Sequence, residues 1–154
     1  MSDGKDAFDK NKILELLKKE KILEFNKLWR ANPELEVSLS YANLSASKLA
    51  NANLSDADLA NANMSSSEVS NVDFSHFDLT NANMSGSKIV NANFSNAKLP
   101  EANLSGSNIS EVNFSHADLT YANLSGSNLT NANLSDADTA NANMSGSNLT
   151  GIKK

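Results

Sequence analysis

Two histidines, His76 and His116, directly follow the serines Ser75 and Ser115, and hydroxyl plus imidazole are the residue types that nucleophilic catalysis uses. Neighbours along an extended segment point to different sides, however, and no third group fixes either imidazole as a base, so this adjacency predicts no catalytic pair. The histidines are forty residues apart in sequence, and neither a glycine-rich phosphate loop nor a zinc-ligand spacing is present. Neither a catalytic residue nor a cofactor or metal site is expected. The chemistry that the residues do permit is electrostatic. Asp56 and Asp136 share one slot of a twenty-residue period, and Asp58, Asp78, Asp118 and Asp138 share another, with Lys98 interrupting the second series. Carboxylates at a regular rise along a narrow rod imitate the field of a nucleic-acid backbone, which attracts a DNA-binding protein and repels DNA itself. These six aspartates are the candidate partner-binding face.

What must position them is a repeat. From Leu39 to Leu149 every fifth residue is apolar, Thr139 excepted, through twenty-three consecutive units that read small-polar-apolar-Ser-polar, as in Ala52-Asn53-Leu54-Ser55-Asp56. A helix needs a period of 3.6 and a strand a period of 2, so neither keeps these centres on one side over such a length. The chain must turn a corner in every unit. Ser47, Ser67, Ser87, Ser107, Ser127 and Ser147 hold a slot in which the intervening units mostly carry Ala, so the coil closes after four units. The same step gathers Phe74, Phe94 and Phe114 between Leu54 and Leu134, and separately Gly86, Gly106, Gly126 and Gly146. Like residues recurring at twenty are expected to stack between successive turns. At strand spacing, two turns separate the histidines by about 10 Å, which prevents them from sharing one metal.

Units such as Ala-Asn-Leu-Ser-Gly, at 102–106, and Ala-Asp-Leu-Ala-Asn, at 57–61, resemble those of the pentapeptide-repeat proteins. The resemblance implies an all-β solenoid, a right-handed quadrilateral parallel β-helix, in which the centre and the residue two before it point inward and the other three outward. Residue chemistry agrees. Fifteen of the twenty-two positions two after a centre, from Ala46 to Gly151, are Gly, Asn or Asp, the types that best tolerate positive φ at tight corners. Two sites look strained within this scheme. Thr139 puts a hydroxyl in a leucine column, and Phe77 stands where its column otherwise has Ala57, Ala97, Ala117 and Ala137, so local widening or an outward ring is expected at Phe77.

The chain divides into an amphipathic helical cap at 1–34, a β-helix of nearly six coils at 35–151 and a short basic tail at 152–154. In the first segment Ile13, Leu14, Leu16 and Leu17, then Ile22, Leu23, Phe25, Leu28 and Trp29, recur at helical spacing until Asn32-Pro33 stops them. Such helices cover the parallel edge and apolar interior of a first coil. Phe25 to Pro33 is also similar to the helix and turn that lead into the repeats of some bacterial family members. After Leu149 only five residues remain, too few for a second helical cap, so a homodimer through the uncapped C-terminal end is expected. With no cysteine, no secretion signal in charged residues 1–12 and no run of membrane-spanning length, the expected location is cytoplasmic, with no membrane contact. Thirteen Asn-X-Ser/Thr sequons between Asn43 and Asn148 are by-products of the repeat.

Charge separates the two parts. Residues 1–39 carry eight acidic and eight basic side chains, whereas ten acidic and three basic residues lie between Ser40 and Thr150. The reading that follows is a non-enzymatic structural or protein-interaction scaffold whose protein partner is not named by any motif. The alternative, implied by the resemblance, is a DNA mimic that modulates a type II topoisomerase such as gyrase through the acidic face, as some family members do. Ordered Ser and Asn ladders raise a third class, ice or surface binding, which the lack of regular outward Thr rows disfavours.

Overall fold

A computed structural model describes residues 10–32, 38–54 and 57–154. At each described corner the residue two after a centre has φ between 55° and 71°, and most corners are closed by a hydrogen bond across the turn, such as the Ala62 N–H to the Leu59 C=O at 3.0 Å. Positive φ at only the second central residue is the mark of a type II turn. Glycine accepts this at Gly86, Gly106, Gly126 and Gly146, but Tyr41, Glu101, Glu111 and Tyr121 adopt the same conformation. They are held to it from the next coil, as when the Tyr121 N–H donates to the Ala140 C=O at 2.9 Å.

Among the described residues twenty parallel bridges join the coils, and every one links a residue to the residue twenty further on, from Ser38 with Asp58 to Asn133 with Lys153. That offset makes the solenoid four-sided. We number its faces by their bridge columns: face 1 from Asn43, face 2 from Lys48, face 3 from Asn53 and face 4 from Ser38. The centres fill the interior. Leu59, Leu79, Leu99 and Leu119 are fully buried, as are Phe74, Phe94 and Phe114, whose rings follow one another at 4.7 Å and 5.2 Å.

The serine column has a defined task. Ser87, Ser107 and Ser127 are buried, and their hydroxyls donate to the Met64, Met84 and Leu104 carbonyls at 2.9, 2.8 and 2.7 Å. The Met64 and Leu104 carbonyls also accept the Ser67 and Ser107 N–H at 3.2 and 3.3 Å, whereas the Met84 carbonyl relies on the Ser107 hydroxyl among the described residues, in a buried place where an unmade bond costs about 1–3 kcal/mol.

Two helices, α1 (Lys10–Lys18) and α2 (Ile22–Arg30), close the first coil. Ile13, Leu16, Leu17 and Phe25 join the solenoid's core cluster. Helix α2 ends before the Asn32-Pro33 stop, of which Pro33 lies outside the described residues.

Four expectations are corrected. Leu23 does not belong to the packed helix face and is 86% exposed. Ser70, at an outward slot, is buried, and its hydroxyl has no partner among the described residues. Phe77 is buried with its ring inward, while the bridges on both sides of its coil, Asp58 with Asp78 and Asp78 with Lys98, stay in register. Its ring fits because Ala57 and Ala97 leave room above and below, and because it meets the Phe74 ring edge-on at 5.5 Å. Thr139 is not strained, because it lies in the last coil and is exposed.

Candidate interaction faces

The bridge columns give each face its own chemistry. On face 1, Asn63, Asn83, Asn103, Asn123 and Asn143 each turn Oδ1 back to accept the N–H two residues on, at 3.1 or 3.2 Å. On face 2, Lys48 pairs with Glu20 of the cap at 3.3 Å and Lys88 with Glu68 at 3.1 Å. Face 3 carries an amide ladder. Asn93, Asn113 and Asn133 each donate Nδ2 to the Oδ1 one coil earlier, at 3.0, 3.2 and 3.0 Å, and Asp73 is the first acceptor.

Face 4 holds the acidic column. Asp58, Asp78, Lys98, Asp118 and Asp138 are successive bridge partners, so neighbouring members are about 4.8 Å apart. The reason aspartate sits in an asparagine slot is local: each Oδ1 accepts the N–H two residues on, from Ala60, Thr80, Thr120 and Ala140, at 2.9 to 3.0 Å. This fixes the carboxylate without using its second oxygen. Only at Asp58 is that oxygen taken among the described residues, by the Ser38 hydroxyl at 2.8 Å. Burial is the largest influence on the Asp78 carboxyl and pushes its pKa up, yet the Thr80 hydroxyl, the Thr80 N–H and the Lys98 ammonium together hold it below its ordinary value.

Asp136 lies at the corner between faces 3 and 4, with φ 57° and its Oδ2 3.9 Å from His116 Nδ1. The column therefore brings together Asp58, Asp78, Asp118 and Asp138 and places Asp136 on its flank, whereas Asp56 lies outside the described residues. His76 and His116 are exposed corner residues with φ 65° and 58°. No group of three or more potential metal ligands occurs among the described residues.

Two features escaped the sequence reading. Tyr41 and Tyr121 are 78% and 64% exposed at corners adjoining the acidic face, in a column that otherwise carries Asn61, Asn81, Glu101 and Asn141. Large rings in an asparagine slot with positive φ were the available signal. The second is Asn26, whose amide spans the edge of the first coil. Its Nδ2 donates to the Asn51 C=O at 2.9 Å, and its Oδ1 accepts the Asn53 N–H at 2.7 Å.

A four-sided parallel solenoid with five-residue sides defines a narrow class of repeat protein. The sequence profile of Pentapeptide repeats (8 copies) matches residues 38–76, 78–115 and 113–151, and the chain belongs to the pentapeptide-repeat family. Its members fold as right-handed quadrilateral β-helices and are generally non-enzymatic structural repeat proteins. No curated protein sequence matches the chain. Among solved structures, the chain is similar to HetL, a pentapeptide repeat protein involved in heterocyst differentiation regulation from the cyanobacterium Nostoc sp. strain PCC 7120. Identity is 23% over 77% of this chain and 70% of that one, with a TM-score of 0.44. The pentapeptide repeat protein alr5209 of Nostoc PCC 7120 is 20% identical over 81% and 93%, with a TM-score of 0.46. A trypsin-treated variant of QnrB1, a plasmid-mediated fluoroquinolone resistance protein, is 21% identical over 77% and 79%, with a TM-score of 0.44.

Proposed function

We propose that this protein is a non-enzymatic interaction rod that presents face 4 to a protein partner with a basic surface. One observation carries the reading. Asparagines and aspartates in the same slot do the same work on the turn, so the turn bonds do not call for the charge of Asp58, Asp78, Asp118 and Asp138, and the adjacent pairs Asp58–Asp78 and Asp118–Asp138 repel. Replacing the four by Asn keeps every turn bond and removes the field. Affinity capture from the source lysate, run in parallel on the native chain and this variant, tests it. Loss of a native-specific partner supports the reading, and recovery of the same partners with equal yield refutes it. The exposed last coil, with Leu149 38% exposed, is proposed as the place where a second copy pairs end to end.

A second reading is favoured by the spacing of the column: a DNA mimic that acts on a type II topoisomerase such as gyrase. Attraction of that kind is screened over about 8 Å at physiological salt. It predicts salt-sensitive inhibition of a purified gyrase supercoiling reaction, lost in the four-Asn variant. Lys98, which breaks the negative run, supports the scaffold reading, on which gyrase activity is unchanged.

A further inference from the structure

The helical cap does more than cover apolar side chains: it reproduces, group by group, the edge of a coil. Along face 3 a bridge residue's N–H donates to the carbonyl twenty-one positions earlier, as from Asn93 to Val72 at 3.0 Å and from Asn133 to Val112 at 2.9 Å. For the Asn53 N–H the acceptor is Asn26 Oδ1, which takes the carbonyl's place at 2.7 Å. At the corners after face 4, a carbonyl accepts the N–H nineteen positions earlier, as Ala60 does from Tyr41 at 3.0 Å. For the Ser40 carbonyl, Lys10 Nζ takes the donor's place at 2.7 Å. Ile13, Leu16, Leu17 and Phe25 supply the apolar floor that a preceding coil's centres would provide.

The last coil carries the groups that the cap imitates. By the same offsets, the Ile152 C=O is the counterpart that Asn53 N–H of a following copy would meet, and the Asn141 N–H is the counterpart for Ser40 C=O. The columns also continue: Asn143 precedes Asn43, Ser147 precedes Ser47 and Leu149 precedes Leu49. Beneath that edge lies a cavity of about 330 Å³, lined in part by Ala137, Thr139, Met144, Leu149 and Ile152. We infer that the first coil is a docking surface for the last coil of a second copy, and that the α1–α2 cap is an intramolecular plug which occupies it. Contact of this kind is heterologous and does not close on itself, so unplugged molecules grow into a linear stack. The plug prevails at ordinary concentration because its tether gives it an effective concentration in the millimolar range.

The chain has no cysteine, which makes disulfide trapping clean. Asn43→Cys and Asn143→Cys are introduced together. Within one molecule these positions are five coils, roughly 24 Å, apart, but in the stack they are ladder neighbours at about 4.8 Å, within the Cα range of a disulfide. The pair is placed in the full chain and in a full chain carrying Phe25→Asp, which unseats the plug. Circular dichroism reports whether the solenoid persists. After mild oxidation, the unplugged protein should give a ladder of dimers, trimers and longer species on a non-reducing gel, and the plugged protein none beyond dimer. Adding Met144→Lys and Leu149→Lys should abolish the ladder. A folded, unplugged protein that yields only monomers or dimers overturns the inference, since tail-to-tail pairing joins Asn143→Cys positions and stops at two. Persistence of the ladder with the lysines present also overturns it. If Phe25→Asp unfolds the solenoid, Lys10→Ala with Asn26→Ala, which removes the two polar stand-ins alone, takes its place and is judged by the same bands.

Discussion

Phe94→Ala tests how the core holds the rod together. Phe94 is fully buried, with its ring 4.7 Å from Phe74 and 5.2 Å from Phe114. Truncating a buried phenylalanine costs about 3–5 kcal/mol, within which each ring pair accounts for about 0.5–1.5 kcal/mol. The upper part of that range is expected, because collapse of the coil into the void is resisted by its ladder. The Phe94 N–H donates to the Asn113 C=O at 2.7 Å, and the Phe94 C=O accepts the Ala97 N–H at 3.0 Å. For a chain of this length about 4–5 kcal/mol corresponds to a fall in Tm of roughly 8–20 °C. The control is Leu134→Ala. Leu134 is 7% exposed and lines the cavity at the open end, so its void merges with existing space and the loss should fall near the lower bound of about 2 kcal/mol. Thermal and urea unfolding followed by circular dichroism measure both. A loss for Phe94→Ala below about 1 kcal/mol, or smaller than that of Leu134→Ala, refutes the reasoning that stacked centres carry the stability.

The serine column gives a paired test: Ser107→Ala leaves the Met84 carbonyl unpaired and should cost about 1–3 kcal/mol in urea unfolding, whereas Ser70→Ala removes a hydroxyl that has no partner among the described residues and should be neutral or stabilising. Asp78 supplies a pH test. Its folded pKa is depressed, so the stability that it contributes is fully present above the ordinary value of 3.8 and is lost as pH falls through the lower folded value. Melting curves of the native chain and Asp78→Asn should therefore converge below pH 3.8, and a constant gap down to strong acid contradicts the assignment. Thr139→Leu should leave the melting temperature unchanged, since the side chain is exposed in the last coil; a clear rise indicates that this coil is covered in solution.

Much of the architecture is legible because the repeat states one rule twenty-three times. The five-residue period of centres such as Leu59 and Leu79 demands corners, and the twenty-residue recurrence of Ser87, Ser107 and Ser127 sets the coil length. Exceptions are less legible, because each depends on neighbours in three dimensions. Phe77 reads as an intruder in an alanine column, and only the edge of Phe74 and the gaps at Ala57 and Ala97 show why it fits. Thr139 reads as a core fault because periodicity says nothing of where the core opens. The acidic column was visible at the level of charge, since Asp58, Asp78, Asp118 and Asp138 share one slot. That each spends one oxygen on the turn was not. Asn26 was hidden for a different reason: it lies outside the repeat, and nothing in its spacing says that its amide meets Asn51 and Asn53.

The proposal that face 4 is the working surface is tested most directly by placing a photo-crosslinking side chain at Lys98, in the middle of the acidic column, or at Asn103, in the neutral column of face 1. Both chains are irradiated in the source lysate at low and high salt, and the adducts are compared. Face 4 as the binding surface predicts a discrete adduct from Lys98 that fades as salt rises and disappears when Asp58, Asp78, Asp118 and Asp138 become Asn, with none from Asn103. An equal adduct from both positions, or one from Lys98 that survives removal of the four charges, contradicts it.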